Sequence, residues 1–236
     1  MRHYKAEWMK VRFSVYLWAV LGIFASLSAL GVLFLFMTRV EGGAGEETEL
    51  FTTWNGLLAL ITALVFACFS ILSAAISGKV IVEEYCGREA VILLSYPVRR
   101  RKLLKIKCTM VCGMTVVSSC AGLVWALGVM YVTSCLFQIT PQGNTQCFVF
   151  TVLFSGILAG VSASAIGMIS AVFGWKRRSA VAAVVCSLVI VCTVTNVIVI
   201  APVYLMGIML AMAAALVIIA GGMVHILAKR IEGMEV

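Results

Sequence analysis

Charge is what this sequence has least of. Only 12% of its 236 residues are Asp, Glu, Lys or Arg, while 63% are hydrophobic; soluble domains carry about 25% charge. A water-soluble fold has no means of hiding so much apolar surface, so the composition excludes a soluble enzyme or binding module and points to a polytopic membrane protein. Histidine is nearly absent, with His3 and His225 alone, which leaves little for a histidine-based metal centre. Nowhere does the sequence contain G-x-x-x-x-G-K-[ST], the glycine-rich loop that cradles nucleotide phosphates. Cysteine, by contrast, is plentiful at nine residues. Cys68, Cys112, Cys120, Cys186 and Cys192 fall inside apolar runs without metal-ligand spacing, as small buried thiols do. Cys135 and Cys147 flank one short polar loop, where a disulfide is open to them.

What is present is a series of long apolar runs. Residues 13–37, 56–77, 108–134, 147–173, 180–200 and 204–227 are each long enough, at about 1.5 Å per residue, to cross about 30 Å of hydrocarbon. The expected fold is therefore all-α: six transmembrane helices in a single domain covering 1–236. Residues 1–12 precede the first run. Tyr4, Trp8 and Val11 share one helical face there, with Arg2, Lys5 and Lys10 elsewhere, the pattern of an amphipathic helix lying at the interface. The first run, at 25 residues, is too long for the apolar core of a cleavable signal peptide.

Orientation follows from the cations. Of 18 Lys and Arg residues, 17 fall on one side: the N-terminus, the stretch between runs two and three, the Lys176–Arg178 loop and the C-terminal tail. Arg39 alone falls on the other. The positive-inside rule then places both termini in the cytoplasm of a multi-pass protein of the cell membrane. The same charge is read as topology and anionic-lipid contact, with no nucleic-acid partner.

None of the six runs contains Asp, Glu, Lys or Arg. Ion-coupled carriers keep ionisable groups at mid-membrane depth, so any transport by this chain draws its energy from elsewhere. His225 lies near the basic end of the last run and reads as an interfacial residue. The fourth run sets Gly156, Gly160, Ser164 and Gly167 on or near one stripe, a spacing that lets helix backbones approach, either within the chain or between subunits. Gly207, Ala211 and Ala215 repeat the idea in the last run. Thr193, Thr195 and Asn196 are candidates for a polar translocation path, or for hydrogen bonds to neighbouring helices.

The stretch from Lys79 to Lys107 holds 11 of the 28 charged residues. Its first part, to Leu94, has few helix breakers, and Glu84 precedes Arg88 by four residues, the favourable order. Pro97 ends it. Arg99, Arg100, Arg101, Lys102, Lys105 and Lys107 follow, interleaved with Leu103, Leu104 and Ile106. Charges spread around that first helix suit contact with protein rather than with lipid.

Here the residues resemble a known family, the ABC-2 type permeases of bacterial ATP-binding-cassette exporters. The matching positions are Glu84, Gly87, Arg88, Leu93, Leu94, Pro97, Val98, Arg100, Leu103, Leu104 and Lys107, and the six-run layout is similar over the whole chain. The resemblance implies that residues 79–107 form a cytoplasmic coupling loop whose helix docks on a separate ATPase subunit, with Glu83, Glu84, Gly87, Arg88, Pro97 and Arg100 as coupling residues. It implies a second permease subunit, identical or homologous, and ATP and Mg held by the partner ATPase with no cofactor in this chain. The implied cargo is amphipathic or hydrophobic: an antimicrobial peptide, an antibiotic or a lipid-linked molecule. The link between runs five and six, around Ala201 to Val203, is shorter than in relatives with an external domain there.

Two rival readings stand beside this one. Glu83-Glu84-Tyr85-Cys86-Gly87-Arg88 matches E-E-x-x-x-R, which resembles a motif of CAAX-type intramembrane proteases, in which paired carboxylates activate water. Those enzymes also need histidines on later helices, and Phe-x-x-x-His is missing. A non-transporting scaffold or sensor subunit is the other. The topology itself is testable by labelling single cysteines placed at Glu46 and Gly143. Both are expected to react from outside the cell, and labelling at 46 only from the cytoplasm contradicts six spans.

Overall fold

A computed structural model describes residues 13–40, 53–83, 100–137, 148–200 and 205–232. They form six long helices: α1 Phe13–Val40, α2 Trp54–Ser77, α3 Arg100–Phe137, α4 Phe148–Arg177, α5 Ala180–Ile200 and α6 Leu205–Glu232. A π-helical turn, Gly78–Glu83, continues α2. Among the described residues, five helices are long and apolar enough to cross a membrane. The described apolar part of α5, Ala180–Asn196, is shorter. The fold is thus all-helical, with about five to six long apolar helices, as a polytopic membrane protein requires. Residues 1–12, with their amphipathic pattern, lie outside the described residues.

Several helices overrun the apolar runs that announce them. α3 begins at Arg100 and has 38 residues, about 57 Å at 1.5 Å per residue. Hydropathy stops where lipid would stop, but hydrogen bonding continues for as long as the backbone has partners. α2 starts on a cap: Thr53 has extended backbone and its hydroxyl accepts from the Gly56 N–H at 3.3 Å, satisfying a donor that the first turn leaves free.

α4 is the centre of the bundle. It packs against α2, α3, α5 and α6, and 78% of its apolar window is buried, against 22% for α1 and for α6. α1 leans chiefly on α3 and α6 chiefly on α4. The backbone of α4 comes close to its neighbours at its glycines. A Cβ on Gly160 would collide with Ser119 Oγ and stand 2.8 Å from Val116 Cα of α3. One on Gly167 would collide with Ser73 Oγ of α2 and stand 2.8 Å from its Cβ. Gly156 lies over Cys120, with 3.4 Å to its Cα. On a neighbouring face of α3, Gly122 seats Phe24 and Phe69, each 3.0 Å from where a Cβ would be; their rings meet edge to face at 6.4 Å.

The core around these contacts is apolar but studded with serine. Ser70, Ser73, Ser77, Ser119, Ser162 and Ser170 are all fully buried. Most bond backward to a carbonyl of their own helix, as Ser70 does to Phe66 O at 2.6 Å and Ser162 to Leu158 O at 2.8 Å. Such bonding lets a small polar residue be buried in a helix bundle without an orphaned hydroxyl. Ser77 also crosses helices, donating to Gly167 O at 2.9 Å.

Tight contact at Gly160 and open space at Gly113, where an added Cβ meets nothing within 4 Å, make a paired test. Gly160→Leu is expected to destabilise the bundle by about 3 kcal/mol through overpacking against backbone. Gly113→Ala is expected to be neutral or to stabilise by about 0.5–1 kcal/mol, because glycine is costly within a helix. Thermal unfolding in detergent distinguishes the two.

Candidate functional site

The basic end of the bundle is where α2, α3, α4 and α5 meet. The π turn after α2 is its first component. Ile81 and Val82 are each 1% exposed, whereas Lys79 is exposed. Gly78 lies against the first turn of α5, its position for a Cβ 3.3 Å from Ala180 O. Short π segments inside α-helices recur at functional sites, since the added residue frees backbone groups and redirects side chains.

Lys107 is the second component. It sits two turns into α3 and is only 1% exposed. Its Nζ donates to Val80 O at 3.5 Å, so a cation lies against the last carbonyls of the α2–π helix. A lysine ammonium is a strong donor to such a backbone carbonyl. The pairing joins α2 to α3 on either side of residues 84–99, and it was not legible beforehand: Lys107 closes a run of cations, all of which read as topology anchors and anionic-lipid contacts.

The third component is the turn between α4 and α5. Arg178 N–H donates to Trp175 O and Ser179 N–H to Gly174 O, each at 3.1 Å. Arg178 is left-handed, with φ of 52°. This is a Schellman ending, in which glycine normally occupies the left-handed position. With arginine there the sequence carries no cue to it. Just before it, Gly174 allows close approach: an added Cβ would stand 2.8 Å from Ala183 Cβ and 3.2 Å from Val82 Cγ2. Lys176, Arg177 and Arg178 all face solvent.

The predicted coupling residues fall mostly beyond this junction. Glu84, Gly87, Arg88 and Pro97 lie outside the described residues, as does the rest of the helix expected up to Leu94. Glu83 ends the π turn and Arg100 begins α3. Gly156, Gly160 and Gly167 face α3 and α2 within the chain. Ser164, 6% exposed, bonds to Val161 O at 2.8 Å. The polar trio of α5 does not converge on an enclosed space. Thr193 and Asn196 are exposed and Thr195 is half-buried. Each bonds to its own helix: Thr193 to Ile190 O at 2.7 Å, Thr195 to Val191 O at 2.7 Å and Asn196 to Cys192 O at 2.6 Å. Cys135 carries a free thiol at the exposed end of α3, and Cys147 lies outside the described residues. Among the described residues, no three of His, Cys, Asp and Glu cluster as metal ligands do.

Comparison with known proteins adds a relative without a known role. The chain is 25% identical over 187 residues to the uncharacterized protein YcbO of Bacillus subtilis (strain 168), covering 76% of this chain and 78% of that protein. No family model matches the chain, and no solved structure matches it.

Lys107→Met keeps the side chain's length and removes its charge and donors. It is expected to weaken hydrogen-exchange protection in the segment 78–83 and to lower stability by about 1–3 kcal/mol, while Lys105→Met, at an exposed position, is expected to change neither. Exchange mass spectrometry on the detergent-solubilised protein reads both.

Proposed function

We propose that this chain is the membrane-spanning permease subunit of an ATP-driven exporter of the ABC-2 type. In this reading six helices span the cell membrane with both termini in the cytoplasm, and residues 1–12 lie along the inner interface. Two such subunits, identical or homologous, work with separate ATPase subunits that hold ATP and Mg. The cargo is amphipathic or hydrophobic. The chain itself hydrolyses nothing.

One observation carries the reading. The described residues on either side of the segment between α2 and α3 belong to a junction in which Lys107 meets Val80, Gly78 meets Ala180 and Gly174 meets Val82. A force applied to that segment therefore reaches α2, α3, α4 and α5 together, as a device driven from outside the membrane needs. The absence of Asp, Glu, Lys and Arg from the apolar runs agrees, because it leaves no ion-coupled source of energy within them. Thr193 and Asn196 face away from α2 and α4, so a path that includes them lies between subunits rather than within one.

Glu84→Lys and Gly87→Trp test the docking role. Neither lies in an apolar run, so insertion should be unchanged. Reversing one charge at a desolvated interface costs several kcal/mol, and co-purification of an ATPase is expected to fall by at least about tenfold. Full ATPase binding and transport by both variants would refute the exporter reading, as would ATP hydrolysis by the pure chain.

A further inference from the structure

The π turn holds one residue more than the α-helical turn it replaces. An α-helix closes i→i+4 hydrogen bonds and a π-helix closes i→i+5. α2 keeps α geometry up to Gly78, whose N–H bonds to Ala74 O and Ala75 O. The wider turn that follows, Gly78–Glu83, reads GKVIVE. Closing it as α instead would advance the residues after Gly78 by one place, about 100° around the helix axis. Ile81 would take the place of Val82, and Val80 that of Ile81.

The sequence accommodates that exchange. In the observed register Ile81 and Val82 are buried, Val80 is half-buried, and Lys79 is exposed among the described residues. Val82 Cγ2 lies 3.2 Å from where a Cβ on Gly174 would stand. Moved by one place, Val80 and Ile81 fill the two buried positions. Both registers therefore bury two β-branched apolar side chains, and exchanging Val for Ile at a packed site changes little volume. Neighbours as well as sequence hold the turn, since α3, α4 and α5 all pack on it. What separates the two registers is charge. The slip carries Lys79 from its exposed position to the half-buried place of Val80, whose carbonyl receives the Lys107 ammonium at 3.5 Å. Bringing one ammonium into partial burial close to another is unfavourable, so the π register prevails while both charges stand.

We propose that the π turn is a one-residue register switch. The chain after Gly78 slips between the π register, with Val82 against Gly174, and an α register, with Ile81 there, and the charge on Lys79 sets the balance. Two packings of equal burial make the end of α2 bistable rather than continuously deformable. The slip does not rest on the exporter reading, which needs the junction but not two registers of it.

The test uses the full chain in its membrane, with its nine cysteines replaced by alanine or serine. Gly174 has no room for a side chain, so the reporter is Ala183, whose Cβ lies 2.8 Å from the same point. Two pairs are compared, Val82→Cys with Ala183→Cys and Ile81→Cys with Ala183→Cys. Cysteine is small and apolar enough to stand at either position, and a disulfide forms when the two Cα atoms come within about 4.4–6.8 Å. Copper phenanthroline oxidises the pair, and mass spectrometry after alkylation counts the linked thiols. With Lys79 in place the 82–183 pair is expected to be the main product. Adding Lys79→Leu is expected to raise the 81–183 yield at least about threefold and to lower the 82–183 yield at least about twofold. A turn with a single register predicts no change in either pair on replacing an exposed lysine, and that result overturns the proposal. A rise in both pairs together overturns it as well, because that is fraying of the turn and not a change of register. Should Ile81→Cys prevent insertion, the 82–183 pair decides alone: a yield unchanged by Lys79→Leu refutes the switch.

Discussion

The bundle depends on how closely helix backbones come to α4. Lipid tails are as apolar as leucine, so helices in a bilayer gain little by merely hiding hydrocarbon from it; dispersion contacts and interhelical hydrogen bonds must hold them together. Glycines in α4 bring its axis near enough to α2 and α3 for Ser73 and Ser119 to sit where side chains would otherwise be. Serines then close the polar requirement locally, through backward bonds to their own carbonyls. Everything else is arranged around that contact: α2 and α3 flank α4, and α1 and α6 lie outside with most of their surface uncovered.

Against this apolar frame, the basic end solves a different problem. Four helices meet there, and the backbone groups at the junction need partners. A buried ammonium answers for α2, and a pair of turn hydrogen bonds answers for α4. Both solutions tie the ends to one another. The 84–99 segment is thereby flanked by fixed points rather than hung between independent helices, and it is this property, more than any single charge, that makes the junction a candidate for coupling.

Much of the architecture was legible from hydropathy, for a physical reason. An apolar run of about 20 residues has few other fates, so the described helices coincide with the runs to within a few residues at most ends; α3 departs most, beginning eight residues early, and the π turn, α4 and α6 likewise extend into charged sequence. The glycine spacing in α4 was legible too, though not which neighbours it faced. Pattern alone leaves intrachain and intersubunit packing equivalent, and it took the positions of Ser73, Val116 and Cys120 to separate them. Lys107 was read as one more anchoring cation, because burial of a lysine depends on the helix across from it. The α5 trio was read by type, since threonine and asparagine are polar wherever they stand. Only the structure shows that Thr193 and Asn196 are exposed, that Thr195 is half-buried and that each bonds to its own helix.

The turn at Arg178 has a mechanical consequence. A hinge needs a residue with torsional freedom, and this two-residue link has little: Arg178 is already left-handed, and both amide hydrogens are held by carbonyls of the last turn of α4. α4 and α5 are in effect the two arms of a single crank. With α5 about 31 Å long, a rigid tilt of both arms together by about 10° about the elbow sweeps the far end of α5 by about 5 Å, one helical pitch. A small displacement where the cations cluster becomes, at Asn196, a movement large enough to exchange one set of neighbours for the next.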